Sequence, residues 1–103
     1  MKHLPMAAIL VVGLVFTGPL SATPTASMLG NPCITCHGAD GVSIGAIPSL
    51  QGYPKEVIVS ALDAFRADSR PATIMGYIAK GYTDEEIDAL GEFFSRISDV
   101  RAK

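Results

Sequence analysis

Two cysteines and a histidine stand together in the sequence Cys33-Ile34-Thr35-Cys36-His37. The two thiols are three residues apart, which places them about one turn apart on a helix. At this separation each thiol can form a thioether with one vinyl group of a haem, and the adjacent imidazole can ligate the iron from one side. The pattern C-x-x-C-H is typical of c-type haem attachment. The sequence therefore predicts one covalent haem c, bound through Cys33 and Cys36 and ligated by His37.

Three other chemistries use the same residue types. A redox-active cysteine pair is expected in a βαβ context, and no clear strand precedes or follows the motif. A zinc site needs a fourth ligand, and the only other histidine, His3, lies in a segment predicted to be removed. A structural disulfide between Cys33 and Cys36 leaves His37 unexplained. These alternatives stay open beside haem attachment, which the pattern favours.

An electron-transferring haem iron normally has a second strong axial ligand, and Met75 is the candidate. It follows His37 by 38 residues, which is enough chain to reach the other face of the porphyrin. Met28 lies only five residues before Cys33, on the tethered side. Met75 could instead fill the core, as most buried methionines do. Lys80 or an open sixth position is the alternative in that case.

The chain after the motif contains a loop and two long helices. Residues 38–52 are rich in glycine and lack helical periodicity, which predicts a loop. Apolar residues recur at helical spacing across 54–67, and Pro71 ends that pattern because the residue before a proline avoids the helical region. Thr83 and Glu86 form a capping box that predicts the start of a final helix.

The N-terminal segment has the composition of a secretory signal peptide. Lys2 and His3 precede residues 4–16, which are apolar except for Pro5 and Gly13. This run is shorter than the roughly 20 apolar residues that cross a bilayer. Export to the periplasm is therefore predicted, with a retained membrane anchor as the alternative.

Removal of this segment would leave one small domain. Cleavage is predicted after Ala22, which defines residues 1–22 as the signal peptide, or as late as Ser27, and residues 28–103 form the domain. The remaining 81 or 76 residues bury too little apolar surface for a secure core without a supplement. They carry seven basic and ten acidic residues, a net charge of −3, with no basic run. This balance argues against a nucleic-acid partner, and no membrane span is predicted in the mature chain.

These features together resemble the small class I c-type cytochromes, which carry one covalent haem with His/Met ligation. The resemblance covers roughly residues 28–98 and rests on the order of Cys33 to His37, Gly38, Pro48-x-Leu50-x-Gly52, Met75 and an aromatic-bearing final helix. It implies an all-α fold, the small cytochrome c fold, with helices wrapped around the haem. It also implies that the Pro48 carbonyl accepts a hydrogen bond from the His37 ring and fixes its orientation.

A closer resemblance lies in residues 72–87, which are similar to the segment around the ligand methionine in cytochrome subunits of flavocytochrome c sulfide dehydrogenases. It implies a haem subunit that accepts single electrons from a sulfide-oxidising flavoprotein. A freely diffusing periplasmic electron carrier is the alternative, followed by a haem-based sensor with an open sixth site. Whether the chain counts as an enzyme by itself is left open, because sulfide chemistry would belong to the flavoprotein.

Two further expectations concern packing and docking. Gly30-Asn31-Pro32 stands where relatives usually carry a helical approach to the motif, and this departure puts in doubt the family's packing of an N-terminal helix against the final helix. Arg66, Arg70 and Lys80 surround the segment that contains Met75. They are predicted to orient a redox partner around an apolar contact, with pairing to the haem propionates as the alternative.

Overall fold

The computed structural model describes residues 23–97, together with Lys2, residues 13–15 and Gly18. Within these residues the chain is helical and contains no strand, so the predicted all-α fold is confirmed. The helices are α1 (Ala26–His37), α2 (Lys55–Arg66), α3 (Met75–Ala79) and α4 (Asp84–Ile97), with a 3₁₀ turn at Ala39–Gly41. The predicted signal peptide, residues 1–22, lies largely outside the described residues. Across the described chain, every helix falls short of the length and apolar character that a membrane span requires.

The two predicted long helices form with boundaries close to those expected. At the start of α4, the Thr83 N–H donates to Glu86 Oε2 over 2.9 Å, and the Glu86 N–H donates to Thr83 Oγ1 over 3.2 Å. This reciprocal pair is the predicted capping box. Helix α2 follows Pro54 and ends at Arg66, before Asp68 takes a left-handed conformation with φ of 56°.

The core is small and is built around α4. Its central cluster of buried side chains is Ile58, Leu90 and Phe94. Ala79, the last residue of α3, and Ile87, in the first turn of α4, are also buried. Partly buried side chains from every helix except α3 pack around the cluster, as do two from loops: Leu29, Cys33, Ile34, Leu50, Leu62, Tyr82, Phe93 and Ile97. Helices α1 and α2 pack against α4, and α3 packs against α2.

Helix α1 packs against α4, so the packing that Gly30-Asn31-Pro32 put in doubt does form. Thr25 caps the helix by accepting the Met28 N–H at Oγ1, over 3.3 Å. Pro32 lies inside the helix and cannot donate to the carbonyl four residues earlier, which is usually costly. Gly30 is buried at the contact with α4. Burial of this helix face outweighs the hydrogen bond that Pro32 cannot make.

Helices α2 and α4 also approach closely, at Gly91. A β-carbon there would lie 2.7 Å from Val59 Cγ2 and 3.0 Å from the Lys55 carbonyl oxygen. The glycine lowers helix propensity by about 1 kcal/mol relative to alanine, and this approach is the reason for its presence. The opposing charges of Lys55 and Asp88, 2.9 Å apart, join the same two helices at the surface.

Candidate haem site

The cysteines and the histidine of the motif occupy the C-terminal half of α1. Cys33 and Cys36 are separated by one turn, and His37 is the last residue of the helix. Cys33 is half-buried, Cys36 is exposed, and the two are not joined by a disulfide. Gly38 follows the helix, and its N–H donates to the Ile34 carbonyl over 3.0 Å. One short helical segment therefore presents two thiols and an imidazole together.

The Cys33 thiol lies at the junction of α1 with the start of α4. Its Sγ is 3.9 Å from the Leu29 carbonyl oxygen, which also accepts a hydrogen bond from the Tyr82 hydroxyl over 3.4 Å. Burial raises the pKa of the Cys33 thiol, and the nearby Tyr82 hydroxyl offsets part of this rise. Burial likewise raises the pKa of Tyr82. The first cysteine is thus fixed by packing, whereas the second faces solvent.

The loop after the motif turns back and brings Pro48 to His37. Leu50 N–H and Gln51 N–H both donate to the Gly41 carbonyl, over 2.8 and 3.1 Å. As a result the Pro48 carbonyl oxygen lies 2.5 Å from His37 Nδ1. His37 itself is only 8% exposed. The structure therefore places together the two residues whose contact the resemblance implies.

This hydrogen bond fixes the protonation pattern of the His37 ring. A backbone carbonyl can only accept, so Nδ1 must carry the proton and donate it to Pro48. In the neutral imidazole the other nitrogen, Nε2, then keeps its lone pair. A neutral imidazole with a free Nε2 and a backbone partner on Nδ1 is the usual form of a metal-ligating histidine.

Met75 is the first residue of α3 and is half-buried. Helix α3 packs against α2, so Met75 is carried on a segment that is anchored away from α1. The structure gives no contact between Met75 and His37. Lys80, the alternative ligand, is engaged elsewhere, because its Nζ lies 2.6 Å from Asp68 Oδ1.

The remaining apolar surface also suits a large apolar cofactor. Ile44, Ile47 and Ile74 are exposed to 104, 44 and 59%. Ile44 and Ile47 lie in the loop that contains Pro48, and Ile74 directly precedes Met75, the first residue of α3. A haem bound between these segments would cover such exposed aliphatic side chains. The donor set and these aliphatic residues fit a haem held between the two segments.

The sequence did not predict the hydrogen bonds that Arg66 makes within its own chain. Its guanidinium is hydrogen-bonded to Asp63, Asp84 and the Tyr82 carbonyl, and the bond with Asp84 raises its pKa. The predicted role of Arg66 and Lys80 as orienting charges loses support, because each is already paired with a carboxylate of this chain. Arg70 lies over the Phe65 ring, 4.9 Å from its centroid. The spacing of residues along the sequence does not indicate ion pairs between distant positions, such as that of Arg66 with Asp84.

Comparison with known proteins identifies the family. Residues 25–97 match the family model described as cytochrome c, which covers the four helices. The chain belongs to the cytochrome c family. It therefore carries covalently bound haem c, and its single C-x-x-C-H motif accounts for one haem.

Three curated relatives illustrate the range of similarity. The chain is 46% identical over 71 residues to the cytochrome subunit of sulfide dehydrogenase from Chlorobaculum tepidum, which covers 69% of this chain and 64% of that protein. It is 35% identical over 69 residues to the thiosulfate dehydrogenase electron acceptor of Stutzerimonas stutzeri, covering 63 and 32%. It is 32% identical over 77 residues to cytochrome c-553 of Desulfomicrobium norvegicum, covering 72 and 91%. The match thus spans just under two thirds of the first relative and about one third of the second.

Proposed function

We propose that this chain is a monohaem electron-transfer protein in which Cys33 and Cys36 form the thioethers and His37 and Met75 ligate the iron. The hydrogen bond from His37 Nδ1 to the Pro48 carbonyl is the observation that supports this most directly. It leaves Nε2 as the only nitrogen of that ring with a lone pair for a metal. Bound haem supplies an iron that takes up and releases one electron at a time.

The contribution of the chain is to hold two axial ligands in place. Pro48 orients the His37 ring and increases its basicity through Nδ1. Met75 offers a soft thioether, which favours the reduced metal and raises the potential. With His37 and Met75 both holding the iron, its coordination number would be the same in the two redox states, and little reorganisation would oppose electron transfer.

The proposed electron donor is a flavoprotein that oxidises sulfide, with this chain as its haem subunit. The 46% identity to the cytochrome subunit of sulfide dehydrogenase supports this partner. The second candidate is a freely diffusing carrier. It is favoured by the match to cytochrome c-553, which extends over 91% of that protein and whose name mentions no dehydrogenase.

Export to the periplasm is part of the proposal, with residues 1–22 as the signal peptide. The start of α1 supports cleavage after Ala22 over cleavage after Ser27. Thr25 is the cap of α1, and the helix begins at Ala26. Cleavage after Ser27 would remove the cap and the first two helical residues, and loss of such a cap costs about 1 kcal/mol. N-terminal sequencing of the periplasmic protein distinguishes the two.

Purification from the native periplasm tests the partner. Absorption spectra of the purified material should show haem and flavin at a fixed ratio through successive columns. Haem staining after denaturing electrophoresis should mark a band of the size of this chain, because thioethers survive denaturation. A haem protein without flavin at every step would favour the diffusing carrier. A band that loses its haem in denaturant would refute the thioethers.

A further inference from the structure

Arg66 stands at the boundary of the segment that carries Met75. It is the last residue of α2, and the segment 67–82 begins directly after it. Its side chain is only 29% exposed and reaches the far end of the same segment. There it donates from Nη1 to the Tyr82 carbonyl oxygen over 3.3 Å.

The second guanidinium nitrogen of Arg66 binds two carboxylates. Nη2 lies 3.0 Å from Asp63 Oδ1, one turn earlier on α2, and is hydrogen-bonded to Asp84 Oδ1 at the start of α4. A planar guanidinium offers donors in a fixed fork, which a lysine ammonium does not. One side chain therefore joins the end of α2 to both the last residue of the segment and the first residue of α4.

Other contacts hold the segment against α2. The Ser69 and Arg70 N–H groups donate to the Ala64 carbonyl over 2.9 and 3.3 Å. Lys80 Nζ is 2.6 Å from Asp68 Oδ1, which links the two ends of the segment a second time. In the middle, α3 begins at Met75 without a side-chain cap. The position of Met75 therefore depends on the closure at the ends of the segment as well as on the packing of α3 against α2.

We propose that Arg66 is a positioning residue that closes the segment 67–82 and so determines how firmly Met75 is held at the iron. This rests on the proposed Met75 ligation. The role differs from partner steering, because the charge of Arg66 faces two carboxylates of its own chain. It differs from the role of Arg96, whose partner Glu92 lies one turn earlier on the same helix.

Imidazole titration of the ferric holoprotein measures how readily Met75 is displaced. Imidazole competes for the iron, and loss of the weak far-red absorption of the iron–sulfur bond reports its binding. In Arg66→Gln the imidazole concentration for half-displacement should fall about threefold to tenfold. Asp84→Asn should act in the same direction by about twofold to fivefold. Arg66→Lys should fall between wild type and Arg66→Gln, because it keeps the charge and loses the fork.

Two matched variants serve as controls. Arg96→Gln removes an arginine from an ion pair within one helix. Glu85→Gln removes a negative charge from the first turn of α4, as Asp84→Asn does. Unlike Asp84, Glu85 forms no ion pair with any of the described residues. Both should titrate like wild type. If Arg66→Gln also titrated like Arg96→Gln, or Arg66→Lys like wild type, the proposal would be overturned.

Amide hydrogen exchange of the holoproteins separates this proposal from the ligation on which it rests. Amides of residues 67–82 should exchange several times faster in Arg66→Gln than in Arg96→Gln. If the wild-type protein lacked the far-red absorption, Met75 would be refuted as the ligand. The hydrogen exchange of residues 67–82 would then still test whether Arg66 closes this segment. Equal exchange in the two variants would refute that role whatever ligates the iron. Asp84→Asn gives the same comparison if Arg66→Gln does not fold.

Discussion

Gly30 and Phe93 are in direct van der Waals contact where α1 crosses α4. A β-carbon on Gly30 would lie 2.6 Å from Cε1 and 2.8 Å from Cδ1 of the Phe93 ring. The ring also packs edge-on against Phe94 with centroids 5.1 Å apart, so moving it away from an added methyl group would disturb that contact. Helix α1, which carries the haem cysteines, can therefore pack this closely on α4 because Gly30 has no β-carbon.

Gly30→Ala should destabilise the holoprotein by about 1–2 kcal/mol, because overpacking exceeds the gain in helix propensity. Denaturant unfolding monitored by far-ultraviolet circular dichroism measures the change. Gly45→Ala is the control, since a β-carbon there meets no atom within 4 Å. Adding Phe93→Leu to Gly30→Ala should recover part of the loss. Equal stabilities of Gly30→Ala and Gly45→Ala would show that the contact is not constraining.

Met75→Ala should leave the haem attached, lower the reduction potential and open the iron to carbon monoxide or cyanide. The ferric protein should lose its far-red absorption. Met75→His should lower the potential while keeping two axial ligands. Met28→Ala is the control, because Met28 is 62% exposed and lies on α1 before the cysteines. If wild type already binds carbon monoxide readily and lacks the far-red absorption, the sensor interpretation gains support.

Pro48→Ala should weaken the hydrogen bond from His37 Nδ1, because the carbonyl is kept but the rigid ring that presents it is lost. A less basic imidazole stabilises ferric iron less, so the reduction potential should rise by up to about 60 mV. The Nδ1 proton should also exchange faster with solvent by nuclear magnetic resonance. Pro54→Ala, which removes a proline before α2, should change neither quantity. An unchanged Nδ1 exchange rate in Pro48→Ala would contradict the orienting role.

Tyr82→Phe should make the protein less sensitive to alkaline pH. Burial raises the pKa of Tyr82 above its ordinary value of 10.0, so the folded state holds the phenol proton more tightly than the unfolded state. The resulting stability is fully present below pH 10 and is lost as the pH rises through the folded-state pKa. Denaturant midpoints between pH 9 and 11 should therefore fall less in Tyr82→Phe than in wild type. Tyr77→Phe, at an 80% exposed position, should follow wild type.

At neutral pH the same Tyr82→Phe variant should be less stable by about 0.5–1.5 kcal/mol, because it loses the hydrogen bond to the Leu29 carbonyl. The prediction is specific because the same variant should be less stable at neutral pH and yet lose less stability as the pH becomes alkaline. If Tyr82→Phe and Tyr77→Phe had parallel pH profiles, ionisation of Tyr82 would not contribute to alkaline unfolding.

Local patterns were sufficient to predict much of this structure. The capping box of Thr83 and Glu86 depends on residues three apart, and helix spacing in α2 and α4 reflects one buried face on each. The motif likewise lies within one turn of α1. Each of these features is determined by neighbours in sequence.

The parts that escaped prediction depend on distant residues. Pro32 suggested an interrupted helix, but burial of α1 against α4 keeps it continuous. Helix α3 has five residues and no side-chain cap, so it lacks both periodicity and a start signal. The contacts of Arg66 with Tyr82 and Asp84 join positions that only the folded chain brings together.

The half-burial of Cys33 has a consequence for the order of assembly in the exported chain that we propose. Cys33 packs against the cluster of Ile58, Leu90 and Phe94, and this burial raises the pKa of its thiol. A chain that crosses a membrane from its N-terminus delivers the motif before α4 arrives. During that interval the thiol is open to solvent and reactive, and docking of the last helix then suppresses its ionisation. Because of the direction of translocation, the Cys33 thiol would be free to form its thioether with haem only in the interval between the arrival of the motif and the docking of α4.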